Sequence, residues 1–520
     1  MNAAAPHPGC SLSAARRLRE LEELAAGTTV DVLVVGLGAT GAGAALDAAS
    51  RGLSVAAVDA HDLAFGTSRW SSKLIHGGLR YLATGEVGVA YESAVERGTL
   101  MERTAPHLVR AQPFVAPLTG LTPHRNAALV QAALRAGDVL RRSAGTARST
   151  LPAPRRLSAV ETLAAAPALH RQSLRGGLLS WDGRVADDAR LVTAIARTAA
   201  GYGARVLTRT RALSLTGREA LVRDERTGQE IRIRARTVIN ATGVWAGELT
   251  DGIRLRPSRG THLVLRAESL SGLRTGLHIP VPGETNRFVL VIPQDDGRVY
   301  VGLTDEPVDG ALPEVPQAPE PDIGFLLDIL GSVLDVPVRR EDVAGAFAGL
   351  RPLLDTGRAT RTSDISRRHA VITSPEGVVT VVGGKLTTYR RMAQDAVDAA
   401  LTAGLLDAPR RCRTSRLPLV GAAPRAVLAA LAAPRRLVDR YGTEAPAIQA
   451  LADTDPRLAQ PVAKGVATTR AELLWAVRHE GALDESDLLD RRTRIGLVPE
   501  DRTAALDAAH EALAAIPDRV

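Results

Sequence analysis

Cysteine is almost missing from this 520-residue chain. Only Cys10 and Cys412 occur, which excludes a disulfide framework and a thiolate metal cluster and fits a reducing compartment. Aromatic residues make up 3%, few for stacking nucleobases, and the 57 acidic residues are interspersed among the basic ones. The net charge of +8 is therefore not read as a nucleic-acid surface, and no nucleic-acid partner is expected. No apolar run reaches 18 residues, so membrane contact is expected to be peripheral at most. Residues 1–13 lack the apolar core of a secretory signal, and the expected location is cytoplasmic. Cys-x-x-Cys, His-Glu-x-x-His and Gly-x-Ser-x-Gly are all missing, so no metal and no hydrolytic nucleophile is expected.

Lysine is the most informative scarcity. Three of the 65 basic residues are lysine, and two of those lie in glycine-flanked motifs. One is Ser71-Ser72-Lys73-Leu74-Ile75-His76-Gly77-Gly78-Leu79-Arg80-Tyr81; the other is Gly383-Gly384-Lys385-Leu386-Thr387-Thr388-Tyr389-Arg390. A compact ammonium kept where arginine is otherwise the rule marks positions at which a point charge serves and a guanidinium is too bulky.

The length and the 45% hydrophobic content suit two or three domains with ample core. Residues 1–28 read as a flexible lead-in, with Leu18, Leu21 and Leu24 on a short helix at most. An apolar run at 30–35, a tight turn at 36–41, an alanine-rich helix at 42–50 and a second run at 54–58 form a βαβ unit. Further buried strands are expected at 237–240 and 378–382, a hairpin at 220–233, and a helix at 126–142 among the loops of 110–160. Short strands punctuated by Gly and Pro across 251–345 predict a mainly antiparallel insertion, and 409–520 reads as helical. The expected fold class is α/β: a discontinuous Rossmann-like cofactor domain over 29–408, a substrate domain inserted mainly at 251–345, and a C-terminal helical domain at 409–520.

Gly36-Leu37-Gly38-Ala39-Thr40-Gly41 follows a strand and opens a helix, and Asp59 ends the next strand. Gly36 permits the turn, Gly38 lets a pyrophosphate approach the backbone, Gly41 allows close helix packing, and Asp59 suits a ribose diol. This fingerprint fits NAD and FAD alike. Gly243, after Asn240-Ala241-Thr242, and Gly384, after Val382-Gly383, place backbone N–H groups at strand ends suited to the electron-rich edge of a reduced flavin. Lys385 adds a positive charge there, and Ser71, Ser72 and Lys73 suit phosphate or flavin edges, which moves the reading to FAD.

Segments 71–82, 240–243, 349–352 (Gly349-Leu350-Arg351-Pro352) and 383–390 resemble those of the aerobic, FAD-dependent glycerol-3-phosphate dehydrogenases, among the D-amino-acid-oxidase-like flavoproteins. The likeness runs over roughly 30–510. It implies FAD as cofactor, oxidation of sn-glycerol 3-phosphate to dihydroxyacetone phosphate, and a membrane quinone as acceptor at the cytoplasmic face, with a homodimer left open. By motif, Arg80, Arg351 and Arg367 are implied phosphate ligands, Arg368 competing with Arg367, and Tyr81, Lys385 and Thr388 lie near substrate. His76, Gly77, Gly78, Leu79, Leu386 and Thr387 join Gly36, Gly38, Thr40 and Gly41 at the cofactor. Catalytic roles fall to His262, Lys385 and Arg351. His262, in Arg259-Gly260-Thr261-His262, is the expected base for the C2 hydroxyl, with His76 and then His369 behind it. Leu303 and Gln294 depart from the family's usual threonine and aromatic. Three other readings stay open: an O2-using oxidase of the same substrate, an amine or hydroxy-acid oxidase, and a nucleotide-binding regulator.

Overall fold

In Val30–Val35 every residue except Asp31 is buried, the pattern of a strand covered on both faces. It lies inside a sheet ordered Ala370–Thr373, Val379–Val382, Glu230–Asn240, Val30–Val35, Val55–Val58 and Arg205–Leu207. Neighbours run parallel except the first pair. Val35 is in register with both Asn240 and Val58, so three strands end together and their following turns meet at one edge. That edge is where an open parallel sheet binds ligands. The computed structural model describes residues 8–516 apart from 79–80, 83–84, 121–123, 285–286 and 356–367.

Small residues set the helices on this sheet. Helix Ala39–Ser50 packs against Tyr389–Gly404, and a Cβ on Gly43 would stand 3.0 Å from both Ala393 and Tyr389. Its N-cap, Gly38, makes no side-chain cap bond, which leaves first-turn N–H groups facing the sheet edge; Ser68 Oγ accepts that of Ala39 at 2.9 Å.

A second sheet of ten strands is antiparallel apart from the pair Gly276–Pro280 and Val109–Pro117. Its order is Glu306–Pro307, Ser258–Arg266, Arg298–Gly302, Phe288–Pro293, Gly276–Pro280, Val109–Pro117, Gly177–Val185 and Leu74–Ile75. Val343–Arg351 pairs with the other side of Ser258–Arg266. Helix Glu320–Gly331 covers one face through Ile323, Leu326 and Leu330. The sheet is thus broader than the 251–345 insertion expected, because strands from 74–185 complete it.

The lead-in also differs from expectation. Helix Ala14–Ala25 is capped by Ser13 Oγ and buries Leu21 and Leu24 against the first sheet. Arg17 is buried, donating to Thr208 O at 2.7 Å and pairing with Asp224. A stripe of two leucines plus a neutralised guanidinium is enough to hold the segment.

The C-terminal module is built of short helices, among them Arg435–Tyr441, Ala445–Thr454, Arg470–His479 and Leu506–Leu513. It docks on the cofactor domain through buried ion pairs: Arg190–Glu480 at 2.8 Å, Arg197–Glu444 at 2.6 Å and Arg492–Asp62 at 2.7 Å. Among the described residues no helix is long and apolar enough to cross a membrane.

Candidate active site

A cleft of about 590 Å³ opens where the parallel sheet's carboxyl edge faces the antiparallel sheet. Gly36, Gly38, Thr40, Asp59, Gly243, Gly384, Lys385, Leu386 and Thr387 line the first wall. His262, Gly349 and Arg351 line the second, and Ser71, Ser72 and His76 lie between them.

The first wall fits a dinucleotide. Gly36 has φ +100°, and a Cβ there would come within 2.6 Å of Ala241 O. At Gly41, a Cβ would strike Gly36 O at 1.8 Å, so this glycine sits behind the wall and lets helix and turn close. Any side chain at either point would fill the cradle or push it apart. The Asp59 carboxylate accepts Leu37 N at 2.7 Å and His61 N at 2.9 Å, which fixes it on the wall, and burial pushes it up to about 6. A diol donating to it would favour the ionised form.

Gly383 and Gly384 both have positive φ, +78° and +75°, and turn the strand sharply into Leu386–Thr388. Lys385 leaves that turn with Nζ 3.1 Å from Ser93 Oγ and 3.7 Å from the Tyr81 ring centroid, so Lys385 and Tyr81 meet. Thr388 is buried and its hydroxyl donates to Lys385 O at 3.4 Å; it braces the turn from behind and is not on the cleft wall.

Glycines also seat the second wall. A Cβ on Gly302 would lie 2.3 Å from the His262 ring, and one on Gly260 would lie 2.3 Å from Arg351 Nη2. Each glycine is the room its neighbour occupies. The Arg351 guanidinium donates to Ser258 Oγ and Asp305 Oδ1, both at 3.0 Å, and to Thr304 O at 3.2 Å. His262 stacks on Phe347 with centroids 4.7 Å apart, and its Nε2 lies 2.8 Å from Ser72 Oγ. Burial, with Lys73 and Arg351 nearby, holds the imidazole well below its usual range, so it is neutral at pH 7.

Lys73 is placed differently from the expectation. Its ammonium is buried and turned away from the cleft, donating to Asp188 Oδ2 at 2.8 Å, Arg69 O at 3.0 Å and Ser71 O at 3.1 Å. Asp188 Oδ2 also accepts Ser71 N at 3.0 Å and Ser71 Oγ at 2.7 Å. Lys73 therefore holds the serine loop from behind, and the loop presents Ser72 to His262. A buried ammonium without that carboxylate would be too costly to keep.

His76 Nδ1 lies 3.2 Å from Asp182 Oδ2, and Asp182 Oδ1 also binds Gly77 N at 3.1 Å and Arg97 at 2.6 Å. Gly78, with φ +81°, packs onto Ala90 rather than lining the cleft. His369 faces Asp395 at 2.9 Å. Leu79, Arg80 and Arg367 lie outside the described residues. Sequence reasoning missed Asp188, Asp182, Ser258 and Asp305. Only Asp188 had a local signal, the start of helix Asp188–Gly201, and that signal reads as helix chemistry.

A glycine cradle on a parallel sheet facing histidine and arginine on an antiparallel one defines a flavin-type oxidoreductase. A family model described as FAD dependent oxidoreductase matches residues 31–390, and one described as C-terminal domain of alpha-glycerophosphate oxidase matches 412–518. The chain is 54% identical over 514 residues to glycerol-3-phosphate dehydrogenase 1 of Mycobacterium tuberculosis, covering 98% of this chain and 99% of the relative. It is 35% identical to the mitochondrial glycerol-3-phosphate dehydrogenase SDP6 of Arabidopsis thaliana, covering 93% and 82%. The solved glycerol-3-phosphate dehydrogenase of Bacillus halodurans, complexed with FAD, superposes with TM-score 0.74 at 26% identity over 98% of this chain and 95% of that one. The L-alpha-glycerophosphate oxidase of Mycoplasma pneumoniae shares the fold, at TM-score 0.55 and 19% identity over 75% and 98%. The chain belongs to the FAD-dependent glycerol-3-phosphate dehydrogenase family, and its cofactor is FAD.

Proposed function

We propose that the chain oxidises sn-glycerol 3-phosphate to dihydroxyacetone phosphate and passes the electrons to a membrane quinone, from a peripheral position on the cytoplasmic face. The observation that carries this reading is the convergence of a neutral, buried His262 and a braced Arg351 on the cleft into which the glycine cradle opens. FAD, when bound along the cradle, supplies the hydride acceptor.

The residues divide the rest of the work. With its proton on Nδ1, His262 accepts from Ser72 Oγ at Nε2, so the pair takes the C2 hydroxyl proton at Ser72 and passes one on to the ring. Arg351, with Arg80 and Arg367, binds the phosphate dianion; Asp305 and Ser258 fix the Arg351 fork for it. Lys385 supplies positive charge beside Tyr81 at the flavin side of the cleft.

Anaerobic mixing of the FAD-loaded protein with sn-glycerol 3-phosphate tests the substrate. Bleaching of the visible flavin band with this ester, and with neither glycerol nor D-amino acids, is expected; no bleaching refutes the reaction. Reoxidation then tests the acceptor, because the match of 412–518 to a domain described from an oxidase makes O2 the rival. Fast reoxidation by a water-soluble quinone with little peroxide is expected, and stoichiometric peroxide would replace quinone by O2.

A further inference from the structure

A second cavity, about 350 Å³, lies between the antiparallel sheet and the C-terminal helices. The 71–73 loop separates it from the cofactor cleft: Ser71 and Ser72 line the cleft, whereas Lys73 lines this cavity. Eight basic side chains line it against five carboxylates; Asp188 and Glu472, just outside the lining, match Lys73 and Arg436, which leaves Arg494 as the cation in excess. Two of those carboxylates, Asp295 and Asp296, are about half exposed at 56% and 46%, while Arg184 and Arg494 keep 7% and 4% exposure. The positive charge is therefore inside and part of the compensating charge outside.

The pairing leaves capacity unused. The Arg494 guanidinium is held by carbonyl oxygens of Asp490 and Arg69, each at 2.6 Å, and no carboxylate among the described residues lies within ion-pair distance of it. The Nε atoms of Arg184, Arg440 and Arg494 are buried without an acceptor. Each of these is a cost that an enclosed anion offsets, and planar guanidinium forks match phosphate oxygens two at a time.

We propose that this cavity is a second anion site that takes a small free molecule carrying one or two phosphate groups. Its volume admits such a molecule, and its walls come from two domains, so an occupant bridges the sheet strands at Arg184 and Arg298 to helix Arg435–Tyr441 at Arg440 and the loop at Arg494. It also lies against Lys73, whose partner Asp188 holds Ser71, the neighbour in the chain of the Ser72 that meets His262.

Inorganic pyrophosphate is the probe, titrated calorimetrically into the FAD-loaded full chain. Arg351→Ala weakens phosphate binding in the cleft, and binding that persists in this variant is assigned to the cavity by its loss on substitution of the cavity arginines. In the Arg351→Ala background, Arg184→Gln and Arg440→Gln are each expected to weaken it at least tenfold with the flavin spectrum unchanged; the ligand-free thermal midpoint stays unchanged in Arg184→Gln and falls in Arg440→Gln, which leaves the buried Asp187 without its ion-pair partner. Should Arg440→Gln fail to load FAD, Arg184→Gln decides, because its partner Asp295 is half exposed and stays solvated when left alone. No binding to the Arg351→Ala chain, or unchanged affinity in Arg184→Gln, overturns the site. Retention on phosphatidylcholine vesicles containing phosphatidate is expected to be insensitive to Arg184→Gln. If retention falls while pyrophosphate affinity does not, the cavity takes a lipid headgroup and the free-molecule assignment is wrong.

Discussion

Glu480 is fully buried, and its two carboxylate oxygens each accept from Arg190 at 2.8 Å, with Arg197 at 3.7 Å and the Tyr441 ring 4.2 Å from the Arg190 guanidinium. Burial raises its pKa and these cations lower it further, leaving it lowered from 4.5 to about 2. A depressed carboxylate contributes stability above its unfolded pKa and loses it as pH falls through the folded one. The window here runs from about pH 4.5 down to about 2. At about 1.36 kcal/mol per unit, the shift corresponds to roughly 3 kcal/mol at neutral pH, of which more than half is gone by about pH 3. Glu480→Gln keeps the shape, removes the charge and strands Arg190 in the interface, at a cost of about 3 kcal/mol or more. Trp475, buried one helical turn away and 4.2 Å from the His479 ring, reports on this region by fluorescence during urea unfolding. The expected result is a difference of about 3 kcal/mol between wild type and variant at pH 7 that narrows steadily below about pH 4.5. A difference under about 1 kcal/mol at pH 7, or one that is constant from pH 6 to 3, would refute the reasoning.

Other expectations concern the cleft. Gly41→Ala drives a methyl into Gly36 O, so the purified protein should carry no flavin while its far-ultraviolet circular dichroism shows the sheets intact; full flavin content would remove the cradle argument. His262→Ala should slow anaerobic flavin reduction by roughly 10²- to 10⁴-fold and leave substrate affinity within a few-fold, and Ser72→Ala should give a smaller loss of the same kind. Arg351→Ala should weaken glycerol 3-phosphate binding by about 10- to 100-fold, read as a rise in Kd from the reductive titration. Lys385→Ala should slow flavin reduction at saturating substrate, and wild-type single-turnover rates in that protein would exclude it from the chemistry.

What could be read in advance was local. The strands at 30–35, 55–58, 237–240 and 379–382 are short, largely apolar and β-branched runs, and the cradle glycines sit at fixed offsets from them. Val109–Pro117 was hidden because two prolines and an arginine break its alternation; it becomes a strand only through its pairing with Gly177–Val185, some 70 residues on. Lys73 was legible as special but not in its role, since Asp188 lies 115 residues away and nothing near Lys73 announces it. The same holds for Ser72 and His262, which are 190 residues apart in sequence and 2.8 Å apart in space. Motif likeness located the site; the carboxylates that brace it came only from the tertiary structure.

The cradle is assembled from turns at Gly36, Gly243 and Gly384, each following a strand of the same sheet. Val379–Val382 pairs directly with Glu230–Asn240, so the sheet edge is incomplete until that late segment arrives. During synthesis, a chain emerging from the ribosome holds the fingerprint early, yet lacks the strand that closes it until about residue 390 has cleared the exit tunnel. Cofactor capture consequently waits until about three quarters of the chain has been made, and premature termination anywhere before that strand is expected to yield a chain that cannot turn yellow.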